Sequence, residues 1–143
     1  MLAVLAIPGC EPTFAAEVSI IGGDRNAILQ LTGDVGPIDF GFRIHSQFSD
    51  TSSGDDWTIE ETFMGPVVEF KLGKVGPVTP YLSAAALWHV ESKNNVYTPL
   101  GAGLSLGLTD ALSARVEVQY CDRGKLYRDD EWFVGGGLTW EFK

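Results

Sequence analysis

The feature that most restricts this chain is an alternation of period two that starts near residue 17 and continues to the end. In Ile38-Asp39-Phe40-Gly41-Phe42-Arg43-Ile44-His45 every even position is a large apolar residue and every odd one is polar or glycine. Leu112-Ser113-Ala114-Arg115-Val116-Glu117-Val118-Gln119-Tyr120 repeats the pattern, as do Val68-Glu69-Phe70-Lys71-Leu72 and Leu138-Thr139-Trp140-Glu141-Phe142. Successive side chains of a strand point to opposite faces, so these segments predict strands with one apolar and one polar face. Helices laid over the same stretches would be broken by Gly101, Gly103 and Gly107 and by Pro66, Pro80 and Pro99.

Eight such segments can be counted, at 17–22, 26–33, 37–48, 59–72, 78–91, 95–108, 112–121 and 131–142. Eight strands are enough to close a small barrel. Connections of two kinds alternate between them. Thr32-Gly33-Asp34-Val35-Gly36-Pro37, Gly73-Lys74-Val75-Gly76-Pro77 and Thr109-Asp110-Ala111 are tight turns, whereas 49–56, 92–95 and 122–130 are wetter linkers. Turns at one end and loops at the other are the asymmetry of an up-and-down transmembrane barrel. Gly33-Asp34-Val35-Gly36-Pro37-Ile38 and Gly73-Lys74-Val75-Gly76-Pro77-Val78 echo each other, as two hairpins of one kind would.

Size and charge narrow the function classes. The chain has 143 residues, one domain's worth, and a net charge of −9, which opposes the electropositive surface that nucleic-acid binding needs. No run of about 18 apolar residues predicts a membrane helix, but a membrane-crossing strand needs only about 9–11 residues and escapes such a scan. The polar parity decides which face meets lipid. Opposite Leu100, Leu104, Leu106 and Leu108 stand Pro99, Gly101, Gly103, Ser105 and Gly107, an odd solvent surface but a sensible lining for a narrow lumen. Arg43, Glu69, Lys71, Arg115, Glu117, Gln119 and Glu141 fall on that same side, where opposite charges can pair. They are expected to form a polar network that fills the lumen, rather than a gate or ion path. Phe48, Trp57, Phe63, Tyr81, Trp88, Tyr97, Tyr120, Trp132, Trp140 and Phe142 lie near strand ends and are expected to form interfacial girdles.

Residues 1–16 read as the end of a secretory signal: Met1 to Gly9 is apolar and Ala15 and Ala16 suit a cleavage site, but no Lys or Arg precedes Arg25. Ile7-Pro8-Gly9-Cys10 also fits a lipoprotein box loosely. The domain itself is then 17–143. Cys10 and Cys121 offer neither a disulfide framework nor a zinc site, and Cys121 is expected to be a small side chain at a strand end.

Taken together, residues 17–143 resemble the small outer-membrane β-barrels that include the OmpA transmembrane domain, OmpX and the opacity and porin-like surface proteins. The stretch from Gly107 to Gly124 is similar to that family's turn and penultimate strand. Gly137-Leu138-Thr139-Trp140-Glu141-Phe142 is similar to its C-terminal assembly signal, with Gly137, Trp140 and Phe142 in the signal positions and Lys143 as the departure. The resemblance implies an all-β, eight-stranded antiparallel up-and-down transmembrane barrel in the bacterial outer membrane. It also implies outer-membrane lipid, lipopolysaccharide and the barrel-assembly machinery as partners.

Within that frame the chain is expected to be non-enzymatic and without a cofactor, in a structural or surface-interaction role. Two other readings stay open. One is a lipid A-modifying barrel enzyme, which would need His45 or His89 as base beside a serine such as Ser83 or Ser105. His45 and Ser46 are adjacent and so face opposite ways on a strand, and two distant histidines do not make a metal site. The other is a soluble, lipocalin-like ligand-binding barrel. The acidic residues Asp50, Asp55, Asp56, Glu60, Glu61, Asp129, Asp130 and Glu131 read as a solvated loop surface, or more sharply as a divalent-cation bridge to lipopolysaccharide phosphates.

Overall fold

The computed structural model describes residues 15–23, 25–50, 57–91, 95–121, 126–127 and 131–142, without the side chains of residues 50 and 57. The signal-like segment, apart from its last two alanines, lies outside the described residues, as do Asp55, Asp56, Asp129 and Asp130.

Ten strands are formed: β1 (Ala16–Gly23), β2 (Asn26–Val35), β3 (Ile38–Asp50), β4 (Trp57–Lys71), β5 (Val78–Ala85), β6 (Leu87–His89), β7 (Val96–Tyr97), β8 (Leu100–Gly107), β9 (Leu112–Tyr120) and β10 (Trp132–Phe142). All pairings are antiparallel, in the order β3-β2-β1-β10-β9-β8-β5-β4, and a β3–β4 pairing closes the ring. β6 pairs with β4 and β7, continuing β5 beyond a break at Ala86, while β7 continues β8 beyond a break at 98–99. Eight walls therefore close a barrel, and eight give an interior that side chains can just fill. Closure leaves no sheet edge, so every wall strand is paired on both sides.

The two echoing sequences become the same turn twice. Gly36 (φ 70°) and Gly76 (φ 62°) each occupy the first central position of a two-residue hairpin followed by proline, between Val35 and Ile38 and between Val75 and Val78. A positive φ there followed by proline's fixed negative φ matches the twist of antiparallel strands.

The parity resolves as lipid outside and polar inside. Twenty-five large apolar side chains are exposed among the described residues, among them Phe40, Leu104 and Val116 at 56%, 50% and 52%. Arg43, Arg115 and Glu117 are 1–5% exposed. A water-soluble monomer rarely exposes a contiguous apolar patch beyond a few hundred Å², and here the patch encircles the molecule. The soluble-barrel alternative is thereby overturned.

Part of the aromatic reading is corrected. Trp88, Trp132, Trp140 and Phe142 do face outward, and the Tyr120 ring packs 4.9 Å from that of Trp132. Phe63, Tyr81 and Tyr97 instead point into the lumen and are at most 6% exposed. Each shares its strand face with inward residues: Phe63 with Val67 and Glu69, Tyr81 with Ser83. Parity, not proximity to a strand end, sets the direction.

Candidate functional site: a stratified lumen

Three layers fill the barrel. The middle one is ionic. Glu117 on β9 is its hub: Oε1 accepts from Arg43 Nη2 (3.2 Å), Ser83 Oγ (3.0 Å) and Gln119 Nε2 (2.7 Å), and Oε2 accepts from Arg115 Nη2 (3.0 Å) and Tyr81 Oη (2.9 Å). Glu69 on β4 takes the second share, accepting from Arg115 Nη2 at 2.6 Å and Gln30 Nε2 at 2.8 Å. Arg43 Nε donates to Gln30 Oε1 at 2.9 Å, and Arg115 reaches Ser19 Oγ at 3.0 Å and Tyr81 Oη at 2.9 Å. Two guanidinium groups and two carboxylates cancel, and the remaining donors and acceptors are neutral. A buried ionic layer of this kind is tolerable because each charge is both paired and hydrogen-bonded.

Space for the layer comes from glycines on the inward parity of β8. A Cβ on Gly103 would lie 2.3 Å from the Tyr81 ring across the β5–β8 pair, so the phenol lies where a side chain would otherwise stand. The Arg115 guanidinium sits 4.4 Å from the Tyr81 ring centroid, a cation–π contact that adds to the hydrogen bond.

Toward the loops the lumen turns apolar. Ile21, Ile28, Phe63, Leu87, Tyr97, Cys121, Leu126, Tyr127 and Phe133 form one buried cluster. Leu126 and Tyr127, from the 122–130 connection, enter the barrel: Gln47 Nε2 donates to the Leu126 carbonyl, and Tyr127 Oη donates to Gln119 Oε1 at 2.8 Å. His45 lies in this layer, its Nε2 2.9 Å from Asn26 Oδ1 and its ring 5.5 Å from that of Tyr127. Cys121 is buried at the end of β9.

Toward the turns the lumen is wet and acidic. Lys71 Nζ lies 3.0 Å from Asp39 Oδ2, 3.2 Å from Glu17 Oε1 and 3.9 Å from Asp34 Oδ2. A cavity of about 330 Å³ opens beside it, lined by Glu17, Lys74, Asp110, Ser113 and Glu141 and reaching Glu69, Tyr81 and Arg115.

Of the residues picked out in the sequence, Arg43, Glu69, Arg115, Glu117 and Gln119 thus meet in the middle layer. Lys71 and Glu141 belong to the turn-end layer instead. Gln30, Ser19, Tyr81 and Ser83 complete the network, and their inward parity follows from Thr32, Glu17 and Thr79 on the same faces of their own strands. In the C-terminal motif, Gly137 has a steric task of its own: a Cβ there would lie 1.9 Å from the Ile20 carbonyl oxygen of β1. Trp140 and Phe142 project outward at the turn end. Of the histidine and serine candidates, Ser83 Oγ donates to Glu117 and His45 Nε2 lies 2.9 Å from Asn26 Oδ1. No group of three His, Cys, Asp or Glu is placed to hold a metal among the described residues.

No protein-family model matches the chain, and no curated protein matches it. Solved structures do. The chain superposes on the de novo designed transmembrane barrel TMB2.3, known from solution NMR, with a TM-score of 0.63 and 13% identity over 96% of this chain and 99% of that one. It superposes on the Yersinia pestis outer membrane protein Ail, determined in a phospholipid bilayer nanodisc, with a TM-score of 0.57 and 10% identity over 90% and 98%. Neisserial surface protein A gives a TM-score of 0.50 and 15% identity over 90% and 94%. A designed barrel among these matches shows that the architecture can stand without any inherited activity, so the likeness carries fold and not function. Closed ring, inverted parity and these superpositions together give the chain the fold of the small eight-stranded outer-membrane β-barrels.

Proposed function

We propose that this chain is an integral protein of the bacterial outer membrane, structural or surface-interacting in role, with a lumen filled by side chains and closed to ions. The observation that carries this reading is the charge-neutral Arg43–Glu69–Arg115–Glu117 layer, capped on the loop side by the apolar cluster around Leu126 and Phe133. An ion crossing the barrel would have to displace paired charges and then enter an apolar plug, both unfavourable in a medium of low dielectric. The reading includes no catalytic role: Ser19, Ser83 and His45 are engaged in hydrogen bonds that hold the layers together. Outer-membrane phospholipid and lipopolysaccharide are its surroundings, and the barrel-assembly machinery is its route of insertion, with Gly137, Trp140 and Phe142 as the recognised motif.

Reconstitution into planar bilayers tests the central point. The expected result is no steady conductance from the folded barrel, identified by heat-modifiable migration on a gel. Large stable channels from the same preparation would overturn the filled-lumen reading while leaving the fold intact.

A further inference from the structure

Asp34 on β2 and Asp39 on β3 stand directly opposite each other in the antiparallel register, and both carboxylates face the lumen at the turn end. Side chains opposed in this way have Cβ atoms about 4.5–5.5 Å apart, and like charges there repel. The groups that face the pair do not relieve it. Glu17 on β1, with Glu141 of β10 opposite it, adds negative charge. Glu69 on β4 is the partner of Asp39 in the β3–β4 register but is taken by Arg115 at 2.6 Å, and Arg43, further in on β3, reaches Glu117 at 3.2 Å. Lys74 and Asp110 offset each other in the adjoining cavity. Lys71 therefore serves Glu17, Asp34 and Asp39 alone, one ammonium for three carboxylates.

Burial makes that excess unfavourable. Asp39 is 0% exposed, and its Oδ1 meets no donor among the described residues. Asp34 Oδ1 is likewise buried without a donor, and so is Thr32 Oγ1, 3% exposed on the same face of β2. An ionised carboxylate so placed loses hydration that nothing replaces. We propose that Asp34 and Asp39 hold one proton between them, taken from water at the turn-end mouth, carried on Asp39 Oδ1 and donated to Asp34 Oδ1. One proton satisfies both orphaned oxygens and removes one of the two uncompensated charges, as in other carboxyl pairs that share a site. A metal ion would need carboxylates converging on one point, which no three described groups do. The unfolded chain, with its carboxylates apart and hydrated, gives the same proton up at about pH 4. Stability contributed by the pair is thus fully present below that pH and is lost as the pH rises through the titration of the folded pair. Acid on the turn side tightens this part of the barrel, the reverse of the usual response of paired carboxylates.

Urea unfolding of the full chain in phosphatidylcholine vesicles, compared between parent and Asp39→Asn, tests this. The amide keeps the shape of the carboxyl and supplies a permanent donor. At about pH 8 Asp39→Asn should unfold less readily than the parent, and the ratio of the two unfolding constants should shrink about tenfold on going to about pH 5. Taking the ratio cancels every other titrating group, His45 and His89 included. A ratio that does not change with pH, or a variant less stable than the parent throughout, overturns the proposal. Infrared spectra of the parent, grown with isotope-labelled aspartate, give a second reading that needs no variant to fold. A labelled carboxylic C=O band should be present at about pH 5, where ordinary aspartates are ionised, and its absence overturns the proposal. Millimolar calcium that stabilises the parent and not Asp39→Asn would assign the oxygens to a metal ion and overturn it as well.

Discussion

The loop end and the turn end of the lumen obey one parity rule and hold opposite chemistry. At the loop end Phe63, Leu87, Leu126 and Phe133 are buried in one apolar cluster, while at the turn end Lys71 shares three carboxylates beside an open cavity. Alternation decides that a side chain faces inward, but it does not decide whether the interior at that height is dry. What dries the loop end is a segment outside the strands: Leu126 and Tyr127 enter the barrel and cover the aromatic layer. No such segment covers the turn end among the described residues, so Glu17, Asp34 and Lys71 remain partly solvated, Lys71 at 28% exposure, and only Asp39 is fully buried. Between the two ends, the Arg–Glu layer borrows from both, with full burial like the plug and full charge like the mouth.

Substitutions that separate these regions should differ in size. The largest effect is expected at Glu117. Replacing it by Ala leaves Arg43 and Arg115 to share Glu69, one buried positive charge in excess, and breaking a buried pair from one side typically costs about 3–5 kcal/mol. Urea unfolding in lipid vesicles followed by tryptophan fluorescence should show that loss, while Glu17→Ala at the turn end should cost about 1 kcal/mol or less by the same measurement. Equal losses would mean that the two ionic layers are equally buried and that the contrast drawn here is wrong.

Next in size is the plug. Phe63→Ala leaves a cavity beneath Tyr97 and His89, whose rings lie 5.1 Å from that of Phe63, and should destabilise by about 3 kcal/mol. If it also opens a conductance in planar bilayers, the plug and not the ionic layer is the main seal. Gly137→Val tests the β1–β10 closure. The added side chain meets the Ile20 carbonyl, and overpacking of this sort costs about 1–3 kcal/mol. The substitution should slow folding into vesicles free of any assembly factor, which separates a steric role from recognition of a terminal motif.

The smallest effect is expected from Asp34→Asn, whose carboxylate is 31% exposed and 3.9 Å from Lys71, within about 1 kcal/mol at physiological salt. Its size should shrink as ionic strength rises, because the site is partly exposed. Glu117→Ala should be nearly insensitive to salt. The two salt dependences, taken from unfolding midpoints, give the sharpest form of the comparison between the wet and the dry parts of the lumen.

The period-two pattern was enough to give eight walls, their antiparallel closure, the lipid-facing side and the tight turns at one end, because each of these is a local property of consecutive residues. Arg43, Glu69, Arg115, Glu117 and Gln119 could be placed inside from their own strands. Which of them would touch could not: Ser19 and Arg115 are 96 positions apart, and the stagger of the closed ring brings them to one level. The same stagger lays Tyr81 over Gly103 and sends Lys71 to the mouth instead of the central layer. Sequence alone determined which way each side chain points; the closed barrel decided its height and its partners, because height depends on register between strands distant in the chain, and no local period carries that information.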